Sequence, residues 1–357
     1  MTGLGGVGIA VLAAATLCLT AGCGTVRYYV QSVGGHLSLL RASKPVPEWL
    51  ADAQIEPKLQ ERLALTQRMR DYAVSELKLP DNASYRRYAD LKRGAAVWTV
   101  VAAPELSLTL KTSCFPLVGC VGYRGFFDRA DADAFAAQLQ TEDLEVTVYG
   151  VPAYSTLGRL PGDWMADPLL NTFITYPEGQ LARMIFHELS HQVAYANDDT
   201  MFNESFATAV ERIGGARWLA AHGSAQAQEE YERFDRRRQD FRVLTQKYRS
   251  LLAALYGSSM PDAAKRAEKA ALLERLRVEF EDIKTGRWGG FSGYDGWIAR
   301  ANNASFGLLA AYNELVPQFE RLFERAGGDF PRFYTEVQRL AALPKDQRRA
   351  ALNHQGE

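Results

Sequence analysis

An excess of charge of either sign is missing from this chain. Its 41 Lys and Arg stand against 42 Asp and Glu, a formal net charge of −1. Nucleic-acid binding needs a basic footprint, so composition makes no electrostatic case for such a partner. The Arg-rich stretch Arg233–Arg242 is interleaved with Asp235, Asp240, Phe234 and Phe241, and reads as the solvated face of an amphipathic helix. Internal repeats, low-complexity tracts and long linkers are also missing, which leaves a chain long enough for one two-lobed body with its own core. Histidine is scarce at five residues and cysteine scarcer at four, so the position of each carries information. Only one apolar run is long, Leu4–Leu19, and it is too short and too near the start for a typical spanning helix.

That run ends in Leu19-Thr20-Ala21-Gly22-Cys23, which resembles the lipobox of bacterial lipoproteins, although the usual positive charges before the run are missing. The resemblance implies that residues 1–22 are a lipoprotein signal peptide and that Cys23 is acylated after cleavage. More than one acyl chain would hold the protein firmly to a membrane. Gly24 follows the anchor cysteine where Asp would retain an enterobacterial lipoprotein in the inner membrane. The expected location is therefore the bacterial cell envelope, at the outer membrane facing the periplasm. Cys18 leaves with the signal peptide, so Cys114 and Cys120 remain. In an oxidising compartment two close cysteines favour a structural disulfide. No His or Cys neighbours complete a metal site there, and the spacing is not C-x-x-C.

The most informative residues are His187-Glu188-Leu189-Ser190-His191, inside the apolar stretch Leu181–Tyr195. Helical residues four apart share a face, so both imidazoles can reach one metal ion from successive turns. Glu188 follows the first imidazole, where its carboxylate can act as general base on a metal-bound water without itself binding the metal. A catalytic zinc wants three protein ligands and one open position. Asn203-Glu204-Ser205-Phe206-Ala207 follows on a second helical segment running to about Leu219, after the turn-like Ala196–Asp199, with Asp199 or Thr200 as its cap. A helix–loop–helix hairpin returns Glu204 towards His187 and His191, which makes it the expected third ligand. Glu211, two turns on, is the rival. A developing oxyanion also needs a donor, and Tyr294, Tyr312, His222 and Tyr154 are the candidates. The segment Tyr149–Gly158, with Pro152, suits an edge strand that could pair with an extended peptide, so Tyr154 is also a candidate for substrate binding. His36 and His354 have no metal-like neighbours.

The pair H-E-x-x-H and N-E-x-F-A is similar to the gluzincin peptidases, in which two His and a Glu hold zinc. More narrowly, the chain resembles the bacterial family called putative aminopeptidases, a group of predicted zinc-peptidase lipoproteins. The matching stretches include Val97–Glu105, Cys114-Phe115-Pro116, Tyr123–Phe127, Ala153–Gly158, Phe186–Gln192 and Asp199–Ala207, and so reach across most of the chain after residue 25. The distance from His191 to Glu204 is shorter than in well-studied gluzincins, whose spacing fits Glu211 better. The resemblance implies one Zn²⁺, a peptide or protein substrate, and Glu188 as the base. Glu105 is a guess for the acid that an aminopeptidase uses to grip a free α-amine. The reading from a different class is a non-catalytic envelope assembly or chaperone lipoprotein on the same scaffold, which has no use for Glu188.

Periodicity predicts a helix over Ile55–Leu77, strands over Ala95–Ala103, Val121–Phe127 and Leu144–Val151, and a helix over Ala130–Leu139. From Leu181 nearly everything reads as helix: the two metal helices, then Ala225–Tyr256, Ala263–Thr285, Tyr294–Ala326 with a kink at Pro317, and Phe330–Leu343. The expected class is α+β and zincin-like. An N-terminal α/β lobe over residues 23–180 carries a mixed sheet above the active-site helix, and residues 181–357 hold the metal-site helices and a mostly helical C-terminal lobe.

Overall fold

A computed structural model describes residues 28–115, 119–156, 162–197 and 199–354. The signal-peptide and lipidation expectations, Cys23 included, lie outside the described residues. The fold mixes α and β, with helix predominant, as the sequence implies.

The first half of the chain contributes a helix over 28–42 (α1), then β1 (Lys44–Pro45), α2 (Val46–Leu50) and α3 (Pro57–Ser75). The short β2 (Arg87–Ala89) joins β1 to β8 (Leu169–Leu170) in one small sheet. The sheet that matters for the site has β3 (Val97–Pro104) at its centre. β6 (Arg124–Phe126) and β7 (Leu144–Val151) run antiparallel on either side of it, with Thr99 opposite both Gly125 and Tyr149. Successive strand residues point to opposite faces. Val100 and Ala102 therefore pack on α4 (Arg129–Gln140), while Val101 and Ala103 pack against Ala304 on the other face. Burial on both faces is why β3 reads as an apolar run interrupted only by Thr99. The hairpin of β4 (Ser113–Phe115) and β5 (Gly119–Val121) sets Cys114 opposite Cys120, and the two form a disulfide.

The second half is helical: α5 (Glu178–Ser190), α6 (Thr200–His222), α7 (Ala225–Gly257), α8 (Asp262–Gly286), α9 (Asp295–Ala299), α10 (Asn303–Asn313), α11 (Val316–Arg325), α12 (Phe330–Ala341) and α13 (Lys345–His354). α5 and α6 form a hairpin at the middle of the largest core. Leu181, Ile185 and Phe186 meet Phe202 and Phe206 there, with Leu63 and Met69 of α3 on one side and Phe319 and Phe333 of α11 and α12 on the other. This one core draws on both sides of residue 180. A second core lies between α7 and α8, centred on Leu244, Leu252, Leu276 and Phe280.

Two expectations about helices need correction. Tyr294–Ala326 is not one kinked helix but three. Asn302 ends the irregular turn before α10 by accepting from Ser305 N, while the Ser305 hydroxyl accepts from Asn302 N, a reciprocal cap. Pro317 sits in the first turn of α11, where its missing N–H costs nothing, so it starts a helix rather than bending one.

Candidate metal centre

α5 owes its position to an apolar surface that is almost continuous, and the exceptions define the site. Arg183, His187 and His191 recur every four residues, so they form one polar stripe on a buried helix, each less than a tenth exposed. The loop after α5 is fixed by Asn203, whose side chain accepts from Ala196 N at 2.7 Å and donates to Ala196 O at 2.9 Å. Asp199 caps α6 by accepting from Phe202 N at 3.2 Å, so of the two caps the sequence offered, Asp199 and Thr200, it is Asp199. Asp199 is itself clamped from α13 by Arg348, at 2.8 Å, and by Arg349. Burial opposes its charge, but the two arginines outweigh that and hold its pKa below the usual value. The clasp and the cap together set the first turn of α6, and Glu204 follows directly after that turn.

His187 Nε2 lies 3.3 Å from His191 Nε2 and 3.3 Å from Glu204 Oε2, and His191 Nε2 lies 3.6 Å from the same oxygen. Donors about 2.0–2.2 Å from a single tetrahedral ion stand about 3.3–3.6 Å apart. The three side chains therefore form a group that could hold a metal ion, with donor spacing that suits zinc. Charge points the same way. Glu188 and Glu204 bring two acids to the pocket, while the nearby Arg183 and Arg238 are committed to Glu211.

Glu211 faces the other nitrogen of His187, with Oε2 at 2.9 Å from Nδ1. Its Oε1 accepts from Arg183 at 2.5 Å and from Arg238 at 2.9 Å. Burial raises the Glu211 pKa, but the two guanidinium groups overcome this and drive it well below the ordinary carboxylate range. An ionised acid there favours the proton on His187 Nδ1, and with that tautomer Nε2 would face a metal together with His191 and Glu204. Glu204 and Glu211 thus touch different nitrogens of one imidazole.

Glu188 is half-buried beside this group, and its pKa is raised, first by burial and against the pull of His187 and His191. Three tyrosines surround the pocket. Tyr123 and Tyr149 come from the sheet region, and burial, followed by the charge of Glu204, pushes both phenols up. Tyr195, in the loop after α5, acts on Tyr123. The other residues singled out from the sequence lie elsewhere. His222 stacks on Trp218 at 4.5 Å, eighteen residues beyond Glu204 on the same helix, about 27 Å by helix rise. Tyr294 stacks on Phe241 at 4.1 Å in the second core. Tyr154 packs on Phe127 at 5.1 Å and His36 at 5.6 Å. Glu105 pairs with Arg266 at 2.7 Å, at the junction of β3 and α8. The side chain of Tyr312 lies outside the described residues.

Sequence reasoning missed Arg183, Arg238, Tyr123 and Tyr149. Arg183 had a usable signal: a lone cation on the buried stripe of an apolar helix, one turn before His187. Tyr149 opens the candidate edge segment Tyr149–Gly158 and Tyr123 opens a family-matching stretch, but only the fold brings β7 and Tyr123 to α6.

A family model described as "Putative aminopeptidase" matches residues 27–352, nearly the whole chain. No curated protein and no solved structure matches it.

Proposed function

This chain belongs to the putative aminopeptidase family, and from that premise we propose that it is a zinc-dependent peptidase of the bacterial envelope, anchored by lipidated Cys23. The observation that carries the reading is the triangle of His187 Nε2, His191 Nε2 and Glu204 Oε2, whose edges of 3.3, 3.3 and 3.6 Å match those expected around one tetrahedral ion. Zinc held there would supply a nucleophilic water near neutral pH and polarise the scissile carbonyl.

The remaining roles fall to the protein. Glu188 takes the proton of the attacking water and delivers it to the leaving amine, a task suited to a carboxylate whose pKa burial has raised. Glu211 holds the His187 ring in place through Nδ1 and is itself fixed by Arg183 and Arg238. Tyr123 and Tyr149, both kept protonated by burial and by Glu204, are the donors for the developing oxyanion. The outer edge of β7 offers backbone groups for an extended peptide, because β7 is the last strand of its sheet.

The test is a screen of the soluble chain against aminoacyl anilides and internally quenched peptides, with Glu188→Gln as control. The variant should keep its metal and its fold yet lose hydrolysis, because an amide cannot accept the proton. Near-wild-type turnover by Glu188→Gln would refute the base role.

A further inference from the structure

Asp167 is an acid that the mechanism above does not use. It lies between the short 3₁₀ turn Asp163–Met165 and β8, and is 1% exposed. Among the described residues its carboxylate holds one short stretch of chain. Oδ1 accepts from the backbone N–H of Thr156 at 2.9 Å and from the Thr156 hydroxyl at 2.9 Å, and Oδ2 accepts from the Ser155 hydroxyl at 3.2 Å. Ser155 and Thr156 lie in the segment that follows β7, beyond the bend at Pro152, whose carbonyl accepts from the Thr172 hydroxyl.

The support of this segment lies close to the metal helix: Gln192, next to His191, donates to Ser84 Oγ at 3.1 Å, and the adjoining Tyr85 holds the Asp167 carbonyl. Tyr149, on β7, feels the charge of Glu204, and Asp167, under Ser155 and Thr156, feels that of Glu188. The support beneath Asp167 is unusually rigid. Its carbonyl accepts from Tyr85 N at 2.7 Å. Tyr85 is buried at φ +63°, a conformation that an aromatic residue adopts only when its surroundings impose it. The wholly buried Arg70 imposes it by donating to the carbonyls of Pro80, Asn82 and Ser84, and Gln67 adds a bond to the Tyr85 carbonyl.

We propose that Asp167 is a positioning residue for substrate: its carboxylate fixes Ser155 and Thr156, in the segment just beyond the edge strand β7, and that fixed segment grips the peptide beside Glu188. The proposal rests on the peptidase reading. It has a pH signature. Burial raises the Asp167 pKa to about 7, with the Thr156 and Ser155 hydrogen bonds opposing and Glu188 adding to the rise. A charged acceptor makes stronger hydrogen bonds than a neutral one, so the segment is held best above that pH and loosens as the acid protonates. The titratable groups acting on Asp167 are Glu188 from α5, Tyr85 and Tyr154. Both phenols have raised pKa values and stay protonated in this range. Glu188 is common to wild type and variants, so a comparison between them cancels its contribution.

The experiment measures zinc content, kcat and KM for wild type, Asp167→Ala and Asp167→Asn on a peptide, between about pH 5.5 and pH 8.5. Asp167→Ala should keep its zinc and raise KM roughly tenfold or more, with kcat within about threefold. Asn can accept from Thr156 and donate to Ser155, so Asp167→Asn should hold the same shape without the charge. Its KM should lack the part of the wild-type pH slope that Asp167 contributes, and lie near the level that wild type approaches in acid. A wild-type KM in Asp167→Ala, or an Asn variant that keeps the wild-type pH slope, overturns the role of Asp167 while leaving the peptidase reading standing. If Asp167→Ala loses zinc or fold, the Asn slope alone decides. A wild type that cleaves no peptide contradicts the peptidase reading itself, and the substrate role of Asp167 with it.

Discussion

Glu204 and Glu211 stand seven residues apart on one helix and meet the same imidazole from different sides, which separates their duties. Glu204→Ala should weaken zinc binding as severely as losing a histidine would. Glu211→Gln should cost roughly 10–100-fold in affinity, because it loosens the His187 ring without removing a donor. Titration of both variants against a competing chelator checks this, and tight zinc in Glu204→Ala with loss in Glu211→Gln would reverse the assignment. The pentad could be read from the sequence because its chemistry is local to one helix. The choice between the two glutamates could not, since both lie on one face of α6 and only the Asn203 clasp fixes how far that helix is advanced. His36 makes a separate prediction. It is 8% exposed with neither ring nitrogen hydrogen-bonded among the described residues, and burial pushes its pKa below the ordinary 6.5. The unfolded chain therefore binds the extra proton between the two pKa values, so its contribution to stability is complete above about pH 6.5 and declines as pH falls below it. His36→Leu should flatten the fall in Tm between about pH 7 and pH 5, and an unchanged slope would rule out this imidazole as a source.

The α5–α6 hairpin depends on close approach of its two helices. A Cβ built on Gly215 would lie 2.7 Å from Arg183 Cγ, so this glycine makes room for the cation that grips Glu211. Gly215→Ala should cost about 1–3 kcal/mol from overpacking, despite the higher helix propensity of Ala, and should weaken zinc binding by displacing Arg183. Thermal melts and a chelator titration test both effects, and a variant that is more stable and binds zinc normally would refute the packing argument. Elements with a clear period were readable from sequence. Leu144–Val151 was placed to the residue, and the predicted Ala130–Leu139 became Arg129–Gln140. Tyr294–Ala326 was misread because its breaks come from caps such as Asn302 and from Pro317 in a first turn, signals that begin helices as readily as they interrupt them. The helix over 28–42 went unnoticed because its outward residues Tyr29, Val30 and Val33 are apolar and blur the period.

Across the whole molecule, the metal helices lie inside the main core rather than at the margin of a lobe. Residues as distant as Leu39, Phe186 and Leu352 share that core, and Arg348 of α13 reaches back to the cap of the helix that carries Glu204. This long-range closure was invisible in the sequence, because nothing local in Lys345–His354 names Asp199 as its partner. The proposed attachment to the envelope is tested on the full-length chain. Cys23→Ser should move the protein from the membrane to the soluble fraction and abolish fatty-acid labelling, and an unlabelled wild type would exclude lipidation. The central claim is the metal centre, and elemental analysis of the purified soluble chain tests it most directly, with His191→Ala measured alongside. The account predicts about one Zn²⁺ per wild-type chain and none retained stoichiometrically by the variant. A metal-free wild type after zinc supplementation, or a variant with full zinc content, would contradict it.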